Sequence, residues 1–141
     1  MNVSLNRLKN VILLNLAASN KDGEVVLCKL RGPHTDWHSM INPRSYCESL
    51  VVPARRLDGI ITEFKLKKVD LIKIDVEGAE LLVLQGLESR LKDVKKIIYE
   101  CSIEKDECEE FLKKCGFKIV QVVNLGDRAY KIAENQLISN K

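Results

Sequence analysis

Aromatic residues are scarce: three Phe, three Tyr and one Trp in 141 residues. So few rings leave little on which successive bases of a single-stranded nucleic acid could stack. Proline occurs only three times and glycine seven, which excludes collagen-like and low-complexity chains. The glycines stand at 23, 32, 59, 78, 86, 116 and 126, and no two are close enough to form a loop that cradles a phosphate or nucleoside. No apolar run approaches the roughly 20 residues of a membrane helix, and the opening MNVSLNRLKN lacks the apolar core of a signal peptide. Neither sign of charge dominates, with 23 Lys and Arg against 20 Asp and Glu. The basic residues are scattered singly or in pairs such as Arg55-Arg56, Lys67-Lys68, Lys95-Lys96 and Lys113-Lys114. Such pairs beside apolar runs read as solvated flanks, whereas a nucleic-acid module gathers its basic residues into a patch. The five cysteines are odd in number and form no CxxC pair, which argues against a disulfide framework and a redox motif. Cys28, His34, His38 and Cys47 resemble a zinc set superficially, but a structural zinc site pairs its cysteines closely in sequence, so no metal is expected there.

What is present is ordinary for one globular domain spanning 1–141: 45% hydrophobic and 30% charged residues, enough to bury a core. The composition predicts a soluble, cytoplasmic protein that engages neither nucleic acid nor membrane.

Residues 2–9 read as a short helix. Residues 11–16 (VILLNL) have the unbroken apolar character of a strand buried on both faces, and Asp22-Gly23 supplies a turn into a second strand at 24–30, making a hairpin. Residues 31–48 hold two of the three prolines and both histidines, and read as a long loop of the kind that carries function. Strand character returns at 49–54, where Pro53 points to an edge strand or a strand end. From 57 onward helix and strand alternate: helix 57–64, strand 69–76, helix 77–87 with an amphipathic extension to 91, strand 96–101 and helix 104–115. Cys108 and Cys115 lie seven apart on that last helix and read as small buried residues on one face. Gly116 caps it, and strands 117–123 and 129–133 close the chain around a turn at 124–127. This alternation predicts an α/β fold, mostly parallel, with a C-terminal antiparallel hairpin.

The informative stretch is DLIKIDVEGAE, residues 70–80. An apolar strand ends in Asp75 and a helix begins within a few residues, and ligands of open α/β sheets bind at the carboxyl ends of strands. Gly78 permits a tight turn or a close approach. The next strand, KIIYEC, also carries a carboxylate at its end, Glu100. Asp75, Glu77 and Glu100 are the candidate catalytic residues, suited to taking a proton from a hydroxyl, holding a hard cation or hydrogen-bonding a polar substrate. Gly78 and Glu80, with His34 and His38 of the long loop, are the candidate substrate contacts. Against this, Glu77 and Glu80 in a first helical turn complement the helix dipole by about 0.3–1 kcal/mol with no further role, and Asp75 is placed to cap the same helix.

The run KKVDLIKIDVEGAELLVLQGLESRLKDVKKIIYE resembles the signature region of the FkbM family of S-adenosylmethionine-dependent methyltransferases, with Lys73 to Glu80 as its specific part. The likeness extends upstream through Leu57-Asp58 and the hairpin 10–27, and downstream to CGFKI. It implies a Rossmann-like class I methyltransferase sheet and methyl transfer to a hydroxyl of a small molecule or sugar, with S-adenosylmethionine as cofactor. Asp75, Glu77, Gly78 and Glu80 match the family's central motif, and Glu100 an acidic position after the following strand. The family's glycine-rich cofactor turn is missing from these residues, so the resemblance implies a sheet incomplete on its N-terminal side. It also implies a separate N-terminal partner segment or a homo-oligomer to complete the sheet. Two other readings stand beside it: a catalytically silent binding or assembly domain, and a metal-dependent hydrolase or phosphotransferase using Asp75, Glu77 and Glu100.

Overall fold

The computed structural model describes residues 2–30, 38–39, 47–102 and 106–138. In chain order these form α1 (Asn2–Leu5), β1 (Ala17–Ala18), β2 (Gly23–Leu30), β3 (His38–Ser39), β4 (Cys47–Arg55), α2 (Leu57–Glu63), β5 (Val69–Ile74) and α3 (Glu80–Gln85). A 3₁₀ helix (Glu88–Asp93), β6 (Val94–Ser102), α4 (Glu107–Lys114), β7 (Phe117–Leu125) and β8 (Arg128–Asn135) follow. None of the described helices is long and apolar enough to cross a membrane.

The fold is mixed α/β, with its described strands in two four-stranded sheets ordered β1-β4-β2-β3 and β5-β6-β8-β7. Only β1·β4 and β5·β6 pair in parallel, and the other described pairings are antiparallel. The expected parallel arrangement is met in part: in the second sheet β5, β6 and β7 run the same way, and β8, inserted between β6 and β7, is antiparallel to both and forms the expected closing hairpin, whereas the N-terminal sheet is mainly antiparallel. The expected N-terminal hairpin is corrected. Residues 11–15 lie outside any helix or strand, with Ile12 68% and Leu13 51% exposed, and β2 pairs with β4 instead. The parallel ladder of β1 on β4 begins at Ala17↔Ala54, and the next β4 residue is Pro53. Proline has no N–H to donate, so a continuation of that ladder over residues 11–16 meets a missing donor at its first step. Pro53 itself pairs only with Glu24 of β2 among the described residues and stands two residues before the end of β4, so its β1 side is locally an edge, as its residue type implied.

The core belongs to the second sheet. Ile74, Val94, Ile97, Tyr99 and Ala133 of its strands pack with Ile61 of α2, Val83 and Leu84 of α3, and Leu112 of α4, each buried. Cys108 is buried in the same cluster and Cys115 packs against it, as their spacing implied. Burial pushes the Cys108 thiol up to about 12, so it stays protonated. Tyr99, wholly buried, donates its hydroxyl at 2.9 Å to Asp106, whose other oxygen caps α4 by accepting from the Glu109 N–H at 3.0 Å.

Two features join the N-terminal sheet to this core. Gly86 lies so close to the end of β1 that a Cβ there would stand 2.0 Å from the Ser19 carbonyl oxygen, so any side chain is excluded. Arg56 is the other. Its guanidinium donates to both oxygens of Asp58 (3.1 and 2.6 Å) and to the Asn20 carbonyl (3.0 Å), while its backbone N–H donates to Asp22. Half of the Arg55-Arg56 pair is thus a structural clamp and not a solvated flank. Cys28 is buried and disulfide-bonded, its partner's side chain lying outside the residues described. That corrects the argument from an odd, scattered count, because strand pairing brings together residues that spacing keeps apart.

Candidate functional site

The parallel register of β5 on β6 pairs Ile74 with Tyr99, and its continuation sets Asp75 beside Glu100 at the carboxyl end of both strands. The chain then turns sharply. Glu77 has φ +52° and Gly78 φ +99°, a left-handed pair that starts α3 three residues later than the motif alone suggests. Glu80 holds this turn. It is buried, and its Oε1 accepts from the backbone N–H groups of Val76 and Gly78, both at 3.2 Å. The loop is thereby fixed from within, and Glu77 is thrown towards the same side as Asp75 and Glu100.

One carboxylate oxygen from each of Asp75, Glu77 and Glu100 lies within 4.8 Å of the others. This gathers all three candidate catalytic residues. Two cations neutralise most of the charge. Arg128 Nη1 donates to Glu77 Oε2 at 3.0 Å and to both oxygens of Glu100 at 3.1 and 3.0 Å. Lys73 Nζ reaches Asp75 Oδ2 at 2.5 Å, and the Tyr130 hydroxyl donates to the same oxygen at 2.9 Å. These contacts, Lys73 first and then Tyr130, hold Asp75 below the usual carboxylate range against its partial burial, and Asp75 in turn raises Lys73 and Tyr130. Arg128 is held above its ordinary value by Glu100 and Glu77.

Arg128 and Tyr130 were not among the candidates read from the sequence. Both sit on β8, where Tyr130 pairs with Glu100 and Arg128 with Ser102, so the two side chains fall on the carboxylate face. The usable signal was the period-two spacing of Arg128 and Tyr130, but it counts only once β8 is known to lie beside β6. The chain places a cavity of about 220 Å³ at this rim, lined among others by Glu77, Gly78, Glu80, Glu100, Ser102 and Arg128. Gly78 and Glu80 are therefore at the site, Gly78 through its backbone and Glu80 as the support of the turn. His34 lies outside the described residues. His38 is in β3, paired with Lys29 in the N-terminal sheet, and its side chain is outside the description.

Chemically, the rim is an anionic acceptor set with fixed counter-cations. It can accept hydrogen bonds from several hydroxyls at once, and it already carries a guanidinium between Glu77 and Glu100, where a metal ion bound by those two groups would stand.

The chain resembles part of the AMB antimetabolite synthetase AmbE of Pseudomonas aeruginosa, 36% identical over 74 residues. That stretch is 46% of this chain but about 4% of the length of AmbE. No solved structure matches the chain. A family model described as the methyltransferase FkbM domain covers residues 2–119, which takes in the strand-end carboxylates, the Glu80-braced turn and both sheets' first strands, and the chain belongs to that family.

Proposed function

We propose that the chain carries the acceptor side of an S-adenosylmethionine-dependent methyltransferase built on a Rossmann-like sheet, acting on a hydroxyl oxygen of a small molecule or sugar. One observation carries the reading: carboxylate oxygens of Asp75, Glu77 and Glu100 gather within 4.8 Å of one another at the carboxyl ends of the two parallel strands, where Glu77 and Glu100 also line a cavity. Membership of the family supplies the reaction class. In this reading Asp75 accepts the hydrogen bond of the reacting hydroxyl and takes its proton. Its depressed pKa keeps it ionised at neutral pH, at the cost of basicity. Glu100 and Glu77 accept from neighbouring hydroxyls, with Arg128 holding both in place, and His34 and the His38 of β3 are the further substrate contacts of this reading.

Among the described residues, those at this rim do not fit the whole cofactor. S-adenosylmethionine needs a slot for its nucleoside, whereas the rim cavity is about 220 Å³, below the roughly 300–1,000 Å³ of small-molecule sites. Gly78 is the one glycine among the described residues lining this rim, and no second glycine is near it in sequence to build a backbone cradle. In this reading a separate N-terminal partner segment or a second copy supplies the cofactor contacts, and no step through the cofactor is derived. Calorimetry on this chain should show S-adenosylmethionine binding weaker than about micromolar, a free energy smaller than about 8 kcal/mol; tighter binding would refute the misfit.

The test of the reaction uses methyl-labelled S-adenosylmethionine and polyhydroxylated acceptors, in a preparation where the cofactor contacts are complete. A methyl ether should form, and Asp75→Asn should abolish it while the melting temperature stays close to wild type. Undiminished transfer by Asp75→Asn, or a product methylated on nitrogen or carbon, would overturn the reading.

A further inference from the structure

At the other end of the second sheet, where β5 and β6 begin side by side with Val69 paired to Val94, lies a larger cavity of about 660 Å³. Four lysines line it. Lys67 and Lys68 come from the run into β5, Lys92 from the 3₁₀ helix and Lys95 from the start of β6. None of the four has an ion-pair partner among the described residues. This contrasts with Lys73, Lys96, Lys113 and Lys131, each of which holds a carboxylate. The acidic residues of the cavity do not balance the lysines. There are two, Asp70 and Asp93, and Asp93 is already engaged by Arg90 at 2.5 Å.

The cavity is also a fixed one. Asn135, wholly buried, donates to the carbonyls of Leu91 and Val94 at 3.1 and 3.0 Å and accepts from the Leu137 N–H at 2.9 Å. The backbone that carries Lys92 and Lys95 is thereby tied to the segment that carries Leu137 and Ile138, the apolar wall of the cavity. Like charges gathered around a concavity focus a positive potential into it and concentrate anions there. A lysine ammonium meets phosphate as a point charge with three donors.

We propose that this cavity binds a small organic phosphate, its phosphoryl group among Lys67, Lys68, Lys92 and Lys95 and its organic body against Val69, Leu137 and Ile138. The volume falls in the range of about 300–1,000 Å³ usual for small-molecule sites, and the four lysines surround an open concavity and do not follow an extended stripe. The site is independent of the carboxylate rim and of the reaction proposed there.

The test is a nuclear magnetic resonance titration of the full chain with phenyl phosphate, inorganic phosphate, phenol and a short duplex oligonucleotide. Amides of residues 67–70 and 92–95 should move saturably with phenyl phosphate, less tightly with inorganic phosphate, and not with phenol. Two variants, Lys68→Gln/Lys95→Gln and Lys67→Gln/Lys92→Gln, should each fold as wild type and weaken phenyl phosphate at least about tenfold, as expected for the loss of charge-assisted bonds worth about 1.4 kcal/mol or more. Several outcomes would overturn the proposal: no saturation, equal response around Lys113 and Lys114, unchanged affinity in both variants, or an oligonucleotide that binds through these residues while the small phosphates do not.

Discussion

The two sheets of this molecule have the same number of strands and little else in common. The β5–β8 sheet is packed against α2, α3 and α4, and every residue of the core cluster lies between Ile61 and Ala133. The β1–β4 sheet contributes few buried side chains among those described, Cys28 and Ala54 with Ser19 at its margin, and leaves Val26, Leu50 and Val51 exposed. A sheet holds together by backbone pairing, but its stability comes from what covers its faces. Stability should therefore fall steeply across the molecule from the second sheet to the first, with the carboxylate rim on the rigid side.

The largest effect should come from the core. Leu84 is wholly buried in α3, in the core cluster of the second sheet. Leu84→Ala should cost about 2–5 kcal/mol in urea denaturation, the usual range for a buried leucine. A loss below about 1 kcal/mol would mean that the cluster is not the seat of stability and that the comparison is drawn the wrong way round.

Next comes the joint between the regions. Gly86→Ala places a methyl group 2.0 Å from the Ser19 carbonyl oxygen, and the neighbour is backbone, so the strand must move. The expected cost is about 1–3 kcal/mol, as for other overpacked positions. Hydrogen exchange should show it unevenly: faster at β1 and β4, little changed at β6 and β8. Uniform acceleration would show that the two sheets unfold as one.

Acid should loosen the same joint. Arg56, with Ser89 and the Gly59 N–H, holds Asp58 below the usual carboxylate range in the folded chain. A lowered folded pKa contributes stability that is fully present above the unfolded value near 4 and is lost as pH falls through the folded value. Stability should therefore fall below about pH 4, and Asp58→Asn should be less stable at neutral pH and flatter across that window. An equal acid slope in the variant would assign the effect to other carboxylates.

The same contrast separates what could be read from the sequence from what could not. Asp75, Glu77 and Glu100 were legible because a strand end and a helix start are local patterns, and β5 pairs with β6 as neighbouring strands of a βαβ unit do. Arg128 was not, because its place depends on β8 entering between β6 and β7, a choice of neighbour that no local pattern encodes. Residues 11–16 misled for the opposite reason. Their composition is that of a buried strand, but a strand needs a partner, and on β4 the next position is Pro53. Glu80 lies between these cases: its position in the motif was plain, while its bonds to Val76 and Gly78 required the left-handed turn at Glu77 to be known.

The smallest effect is the most diagnostic for the exposed sheet. Val26 and Val51 are directly opposed across β2 and β4, 54% and 64% exposed. Threonine keeps the β-branched shape that suits a strand and adds a hydroxyl that water can satisfy. If this face meets solvent, Val51→Thr should change stability by no more than about 0.5 kcal/mol, the range of surface substitutions away from special features. If a second copy or a further segment covers the face, the hydroxyl is buried without a partner and costs about 1–3 kcal/mol. Light scattering during size exclusion would then show the variant smaller or more dissociable than wild type. A neutral substitution with an unchanged, concentration-independent mass places the two valines in water, and the gradient between the sheets is then a property of the single chain.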